Sequence, residues 1–439
     1  MTGAHVEDSH GVGAGMVRAV PYYGGFAVTS HRAPAPPALS PAVVADWQAG
    51  GGSVFELLSL VNALGPVARV SFGAVDAVLV SQPEAVHHVL ALHPERYVKR
   101  SHRLAPLLGG GVLTASGDPW RAQRRLLQRH FTGQGIRRFE GAIDGAAERA
   151  SLLWERASGT GEVRDLAGDL RFYSLDVIWR CLTGRPVTPE TYEELRAVDA
   201  IIGALPVVPR PGDAPPDLGP EFARIDAVVE RTIAEVRASP SGAGLLHVLL
   251  EAYDTEQLVR DEVATLIFAG HETTATTLAW LYLFLDAEPH WRAWALERGA
   301  DGVRALLAET LRLYPVAWLM PRHATEDDVL AGYRVGAGDI VLTSPYFTHR
   351  DPGLWPEPDA FRPDRPHLAE RHPAGHGAYY PFGLGPRACL GAQFTHREAQ
   401  ALLERVLPAF VPKLLDRPGP AFDITVHPAG PLPGTIQRA

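Results

Sequence analysis

The sequence predicts a mainly α fold with small β regions, built as a single unit. Three observations carry this. Apolar residues recur at helical spacing over most of the chain between about residues 100 and 330. Runs of strand character are short and sit at 67–81, at 330–345 and in the tail beyond Phe422. Hydrophobic residues make up 46% of the 439, ample for one large core, and no linker splits the chain into independent parts.

Taken in order, residues 1–50 are rich in Pro, Gly and Ala (Arg32-Ala-Pro-Ala-Pro-Pro-Ala) and read as an irregular N-terminal segment. The folded domain then runs from 51 to 439. Val67-Ala-Arg-Val-Ser-Phe and Ala77-Val-Leu-Val-Ser, separated by Gly73, form a hairpin pattern. A Leu/Gly loop, Leu104 to Ser116, leads into a helix with Asp118 placed to cap it and Pro119 at its first position. The stretch Ala204 to Pro216 is a proline-rich connection between helices. Asp254 to about Asp286, closed by Pro289, reads as one helix of roughly 48 Å, apolar on every side and therefore buried. Phe422-Asp-Ile-Thr-Val-His and the turn residues up to Gly434 read as a terminal hairpin.

A net charge of −9 provides no basic footprint for nucleic acid. No apolar stretch reaches membrane-span length, so a cytoplasmic protein is expected. Two cysteines can form one disulfide at most, which fits a reducing compartment. Cys181 lies in an apolar helical run (Asp176-Val-Ile-Trp-Arg-Cys-Leu) and reads as structural.

Cys389 is different. It stands in Pro381-Phe382-Gly383-Leu384-Gly385-Pro386-Arg387-Ala388-Cys389-Leu390-Gly391, a glycine-punctuated loop before a helix. Glycines allow main-chain N–H groups to approach the sulfur, and a helix N-terminus lowers a thiol's pKa. A phosphate-binding loop is excluded by Ala388, which occupies the third glycine position of G-x-G-x-x-G. The pattern Phe-Gly-x-Gly-x-Arg-x-Cys-x-Gly resembles the haem-binding loop of the cytochrome P-450 family.

Ala269-Gly270-His271-Glu272-Thr273-Thr274, in the long helix, puts a carboxylate and two hydroxyls where polar groups are costly. Thr273 is four residues from Ala269 and can bond its carbonyl, and Gly270 eases opening of the helix into a polar notch. The zinc motif H-E-x-x-H is broken, because Ala275 stands at its last position. The segment resembles the Ala-Gly-x-Glu/Asp-Thr-Thr signature of the same family. The resemblance implies that Thr273 steadies the reduced oxygen and that Glu272 helps to deliver protons.

Glu309 and Arg312 lie one turn apart in an apolar helix, and Arg365 of Phe361-Arg-Pro-Asp-Arg could be a third partner offsetting their burial. These resemble the family's Glu-x-x-Arg and Phe-x-Pro-x-Arg segments, in the family's order. The resemblance, covering roughly residues 60–435, implies the cytochrome P-450 fold, a helix-rich triangular prism with haem between the long helix and the Cys389 loop. It implies haem b ligated by Cys389, with Phe382 shielding the sulfur and Ala269 and Gly270 on the opposite face. Trp120, Arg124, Arg322 and Arg387 would bind the propionates, with Lys99 a weaker candidate.

The activity so implied is that of a monooxygenase inserting one atom of O₂ into an apolar small molecule, of terpenoid, fatty acyl or polyketide type, in bacterial secondary metabolism. Two cysteines cannot hold an iron–sulfur cluster, so electrons are expected from a ferredoxin and its NAD(P)H-dependent reductase, serving a monomer. The implied pocket walls are the loop 104–116, Leu266, Val316, Ala317, Trp318, Leu319 and Leu432, with Trp318 narrowing the cavity. The alternatives are an H₂O₂-driven peroxygenase and a haem-thiolate ligand sensor without turnover.

Overall fold

The computed structural model describes residues 33–72, 75–99, 104–205, 208, 210, 216–238, 244–368 and 374–439. Residues 1–32, Gly73 and part of the proline-rich connection lie outside these. The expected irregular segment ends earlier than residue 50. Pro41–Gln48 is a helix, capped by Ser40 and started by Pro41, and it buries Val44 and Trp47 in the main core.

The β regions are small and gather strands distant in sequence. β1 (Val67–Ser71) and β2 (Asp76–Val80) form the expected antiparallel hairpin, paired Val67 to Val80. They continue into β8 (Ile340–Thr343), β5 (Met320–Ala324) and β3 (Tyr97–Lys99), in the order β1-β2-β8-β5-β3. Strand structure thus starts at Met320, before the expected 330. The β3–β5 register sets Lys99 opposite Arg322, which matters for the site. A two-stranded piece, β6 (Asp328–Leu330) with β7 (Tyr333–Val335), lies between β5 and β8 in the chain.

The tail departs from the expectation. β10 (Pro420–Phe422) and β11 (Val426–Pro428) make a short hairpin. The last strand, β12 (Pro433–Arg438), instead inserts between β4 (Val163–Asp165) and β9 (Phe410–Leu414). Its backbone groups thereby gain a partner on each side, which a terminal hairpin would have left open on one edge.

Helices form the remainder. Leu166–Thr183 buries almost its whole length against Glu256–His271 and Thr273–Ala287. Glu140–Ser158 packs on Ala392–Val406, the helix that follows Cys389. The Leu/Gly loop contains one helical turn, Ala105–Leu108. The next helix, Gly117–Phe131, is preceded by Ser116, and Asp118 pairs with Arg121 inside its first turn instead of capping it. The long helix is two segments, Glu256–His271 and Thr273–Ala287, joined at Glu272. No helix of the described residues is long and apolar enough to cross a membrane.

Candidate active site

The Cys389 loop is built by short backbone bonds. Gly383 N–H donates to Tyr380 O at 2.9 Å and Cys389 N–H to Phe382 O at 2.8 Å. Gly385 takes φ +68°, and a Cβ there would sit 2.2 Å from the Leu90 carbonyl oxygen, so only glycine fits. The Phe382 ring packs edge-on against His396. Cys389 is exposed, although its loop is held within the fold. Desolvation pushes its thiol up, against the opposing pull of the Gly391 N–H, Arg124 and Lys99. A metal bound at the sulfur would add to these opposing pulls and favour the thiolate.

A buried ionic network supports this loop from behind. Glu309 and Arg312 have no exposed surface and form a bidentate pair, Nε to Oε2 at 2.7 Å and Nη2 to Oε1 at 2.8 Å. Arg365 Nε donates to Glu309 Oε1 at 3.0 Å, and Arg362 N–H to the same oxygen at 2.8 Å. Arg312 spends its remaining donors on the carbonyls of His349, Pro358 and Ala360. Both Glu309 oxygens and every nitrogen of Arg312 thus have partners, which makes burial tolerable. His349 carries the network onward: its Nε2 accepts from Tyr380 N–H at 2.9 Å, so its Nδ1 is the protonated nitrogen and donates to Arg312 O. Burial and the Arg312 charge hold this imidazole neutral.

The second part lies on the broken helix. Thr273 Oγ1 donates to Ala269 O at 2.9 Å, and Ser174 Oγ from a neighbouring helix donates to Gly270 O at 2.8 Å. Two carbonyls are diverted to hydroxyls, and the backbone opens at Glu272 (φ −100°, ψ −34°). Gly270 is needed for closeness as much as for opening, since a Cβ would lie 3.0 Å from Ile178. Ala269 is exposed and Thr273 half-buried amid an otherwise buried helix, so this face looks onto a cleft. Glu272 is buried. Its Oε1 accepts from Thr425 at 3.3 Å, its Oε2 has no partner, and burial pushes its carboxyl up to about 7. Thr274 donates to the buried Glu398, whose carboxyl burial pushes up to about 8.

The third part is a cluster of cations. Lys99, Arg124, Arg322 and Arg387 come from four separate elements, yet they act on one another or on Cys389. Among the described residues none of the four pairs with a carboxylate. Lys99 donates to Leu113 O at 2.8 Å, Arg322 to Pro321 O at 3.0 Å, and the Arg387 guanidinium stacks 3.8 Å over Trp120. Arg387 Nη1 is buried with no partner. Burial, then the like charges around it, pushes Lys99 down to about 7; Arg322 and Arg387 fall to about 10 for the same reasons.

The Cytochrome P450 family model matches residues 34–293 and 303–426. The chain belongs to the cytochrome P450 family. It is 29% identical to cyclooctatin synthase of Streptomyces melanosporofaciens, over 86% of this chain and 90% of that one. It is 31% identical to cytochrome P450 714C3 of Oryza sativa subsp. japonica, over 85% and 82%. Among solved structures, CYP175A1 from Thermus thermophilus superposes with a TM-score of 0.75 at 30% identity, over 91% of this chain and all of that one.

As a cytochrome P450 the protein is a haem monooxygenase, and its own residues fit that group. An internal cluster of cations lacking carboxylate partners, with one guanidinium nitrogen left unbonded, suits a ligand with two propionates. An accessible cysteine on a tight loop suits the iron. When bound, haem supplies the activation of O₂; the protein's part is to hold, orient and protonate.

Two pocket residues expected from the sequence do not fit. Trp318 and Leu432 have no exposed surface. Trp318 packs on Phe55 and Phe422 and donates its indole N–H to Asp423 O at 2.9 Å, so it ties the tail hairpin to the core. Leu432 lies where its carbonyl receives Leu166 N–H. Ala317 is exposed, whereas Leu266, Val316 and Leu319 are buried. Ser174, Thr425 and His427 escaped sequence reasoning because each comes from an element outside every motif, and Glu398, in the helix after Cys389, because nothing local marks it as Thr274's partner.

Proposed function

We propose that the protein binds haem b through Cys389, with Phe382 against the thiolate side and Lys99, Arg124, Arg322, Arg387 and the Trp120 ring around the propionates. The observation that carries this is the unpaired cation cluster beside an accessible cysteine. Thr273 positions the oxygen and Glu272 carries protons to it, beside the notch at Ala269 and Gly270. Glu309, Arg312 and Arg365 hold the loop rigid.

The substrate is an apolar small molecule of terpenoid type, in preference to a fatty acyl or polyketide chain, taken up in bacterial secondary metabolism. Two things support this reading. The exposed Ala269 and Ala317 offer apolar walls, with Leu266, Val316 and Leu319 behind them. A second relative, at 30% identity over 76% of this chain and 80% of that one, is cyclooctat-9-en-7-ol 5-monooxygenase, whose substrate is by its name a cyclic alkenol. The enzyme works as a cytoplasmic monomer fed by a ferredoxin and its NAD(P)H-dependent reductase.

The test is spectroscopic and then chemical. The reduced carbonyl complex should show the red-shifted Soret band of thiolate ligation, and Cys389→Ala should lose it. Cyclic terpene alcohols should displace the haem spectrum and yield singly oxygenated products. Thr273→Ala should divert electrons into peroxide; unchanged product per NAD(P)H would refute its role. Faster turnover with H₂O₂ than with redox partners would make the protein a peroxygenase. Ligand binding with no product from any donor would make it a sensor.

A further inference from the structure

The tail hairpin meets the broken helix at Glu272, and no motif predicted that contact. The hairpin is fixed on several sides. Val426 N–H donates to Val316 O at 3.0 Å, the Trp280 indole to Val426 O at 3.3 Å, and the Trp318 indole to Asp423 O at 2.9 Å. Thr425 is thereby held against Glu272 Oε1. Two residues on, His427 has its Nδ1 2.9 Å from Pro428 O and its Nε2 3.1 Å from Asp423 Oδ2. Both partners are acceptors only. A neutral imidazole has one N–H and would set a lone pair against one of them, so the geometry demands an imidazolium.

We propose that His427 is a positioning residue for Glu272: held as an imidazolium by Asp423 and the Pro428 carbonyl, it supplies the counter-charge that lets Glu272 release and regain its proton. This rests on the reading of Glu272 as the proton carrier. The proton that Glu272 gives up goes to the reduced oxygen and is replaced from solvent; His427 keeps its own. Asp199, with Arg171 3.8 Å from it, also acts on Glu272. Asp199 also binds the buried His271 at 3.0 Å. Asp199 disfavours a charged Glu272, while His427 favours it and Arg171 helps. Asp423 and Glu272 in turn both favour the charged His427. His427 is the strongest influence opposing the burial of Glu272, and its side chain is 24% exposed, so it equilibrates with solvent.

The test is an NMR titration of the His427 ring, identified as the resonance missing from His427→Gln. In Glu272→Gln its midpoint should fall by about half a unit to one unit, the size of one nearby charge removed. Linkage requires the reverse as well: in His427→Gln the ionisation governing product formed per NAD(P)H should move up in pH by the same amount. Asp423→Asn should lower the His427 midpoint without touching Glu272 directly. An unmoved imidazole in Glu272→Gln, with product coupling lost, would overturn this proposal alone. Unchanged coupling in Glu272→Gln would instead overturn the proton-carrier reading, whatever the imidazole does.

Discussion

Two groups of buried arginines lie close to the Cys389 loop, and they are built on opposite principles. Around Glu309 each guanidinium nitrogen of Arg312 is bonded, and Arg365 closes the carboxylate from the other side. Around Lys99 and Arg322 no carboxylate of the described residues answers four positive charges. Burying a charge costs several kcal/mol unless it is paired. The first group meets that cost within the chain and is therefore structural. The second has no such partner, and it is the group proposed above to receive the haem propionates. Compensation, not burial, separates scaffold from site in this molecule.

The largest effect should come from breaking the closed group. Glu309→Ala strands Arg312 without its carboxylate in a site with no solvent, and should cost about 3–5 kcal/mol (chemical denaturation of the haem-free protein would read it). Survival of wild-type stability would mean that the carbonyls of His349, Pro358 and Ala360 suffice alone.

The open group should respond with opposite signs in two states. Arg322→Ala removes one of four repelling charges, so the haem-free protein should hold its stability or gain. Haem retention should fall roughly tenfold, about 1.4 kcal/mol, the scale of one charge-assisted hydrogen bond. Competition for haem against apomyoglobin would measure the loss. Equal destabilisation of both states would place Arg322 in the scaffold.

Glu398 is a third solution: it avoids charge by keeping its proton. Its folded pKa of about 8 lies above the value of about 4.5 taken when unfolded. The stability it contributes is fully present below about pH 4.5 and is lost as pH rises through about 8. Denaturation midpoints between pH 5 and 8.5 should decline in the wild type and decline less in Glu398→Gln. The smallest effect is expected at Trp318→Phe, about 1 kcal/mol for the lost indole bond to Asp423, with substrate affinity unchanged. A large change in substrate affinity would return Trp318 to the pocket wall.

How much of this could be read from the sequence follows the same division. The Glu309–Arg312 spacing lies within one helix turn, and its apolar surroundings announce burial, so the closed group was legible from local pattern. Lys99, Arg124, Arg322 and Arg387 are scattered over nearly three hundred residues. Only family resemblance gathered them, since their meeting depends on the β3–β5 register and on the loop. The break at Glu272 was anticipated from Gly270 and Thr273, but its second cause, the Ser174 hydroxyl, comes from another helix. Trp318 was misassigned because an apolar run does not say which side of the backbone faces a cavity. The tail was misread for a related reason: alternation and turn residues show where strands are, not which partner accepts them.

The open cation group also bears on how long the protein lasts in a cell. A chain that carries mutual repulsion until its cofactor arrives is least stable when newly made. At a free ligand concentration a thousand times the dissociation constant, binding adds about 4 kcal/mol to the folded state. If the cluster binds haem as proposed, the fraction of chain open to proteolysis should fall as haem supply rises.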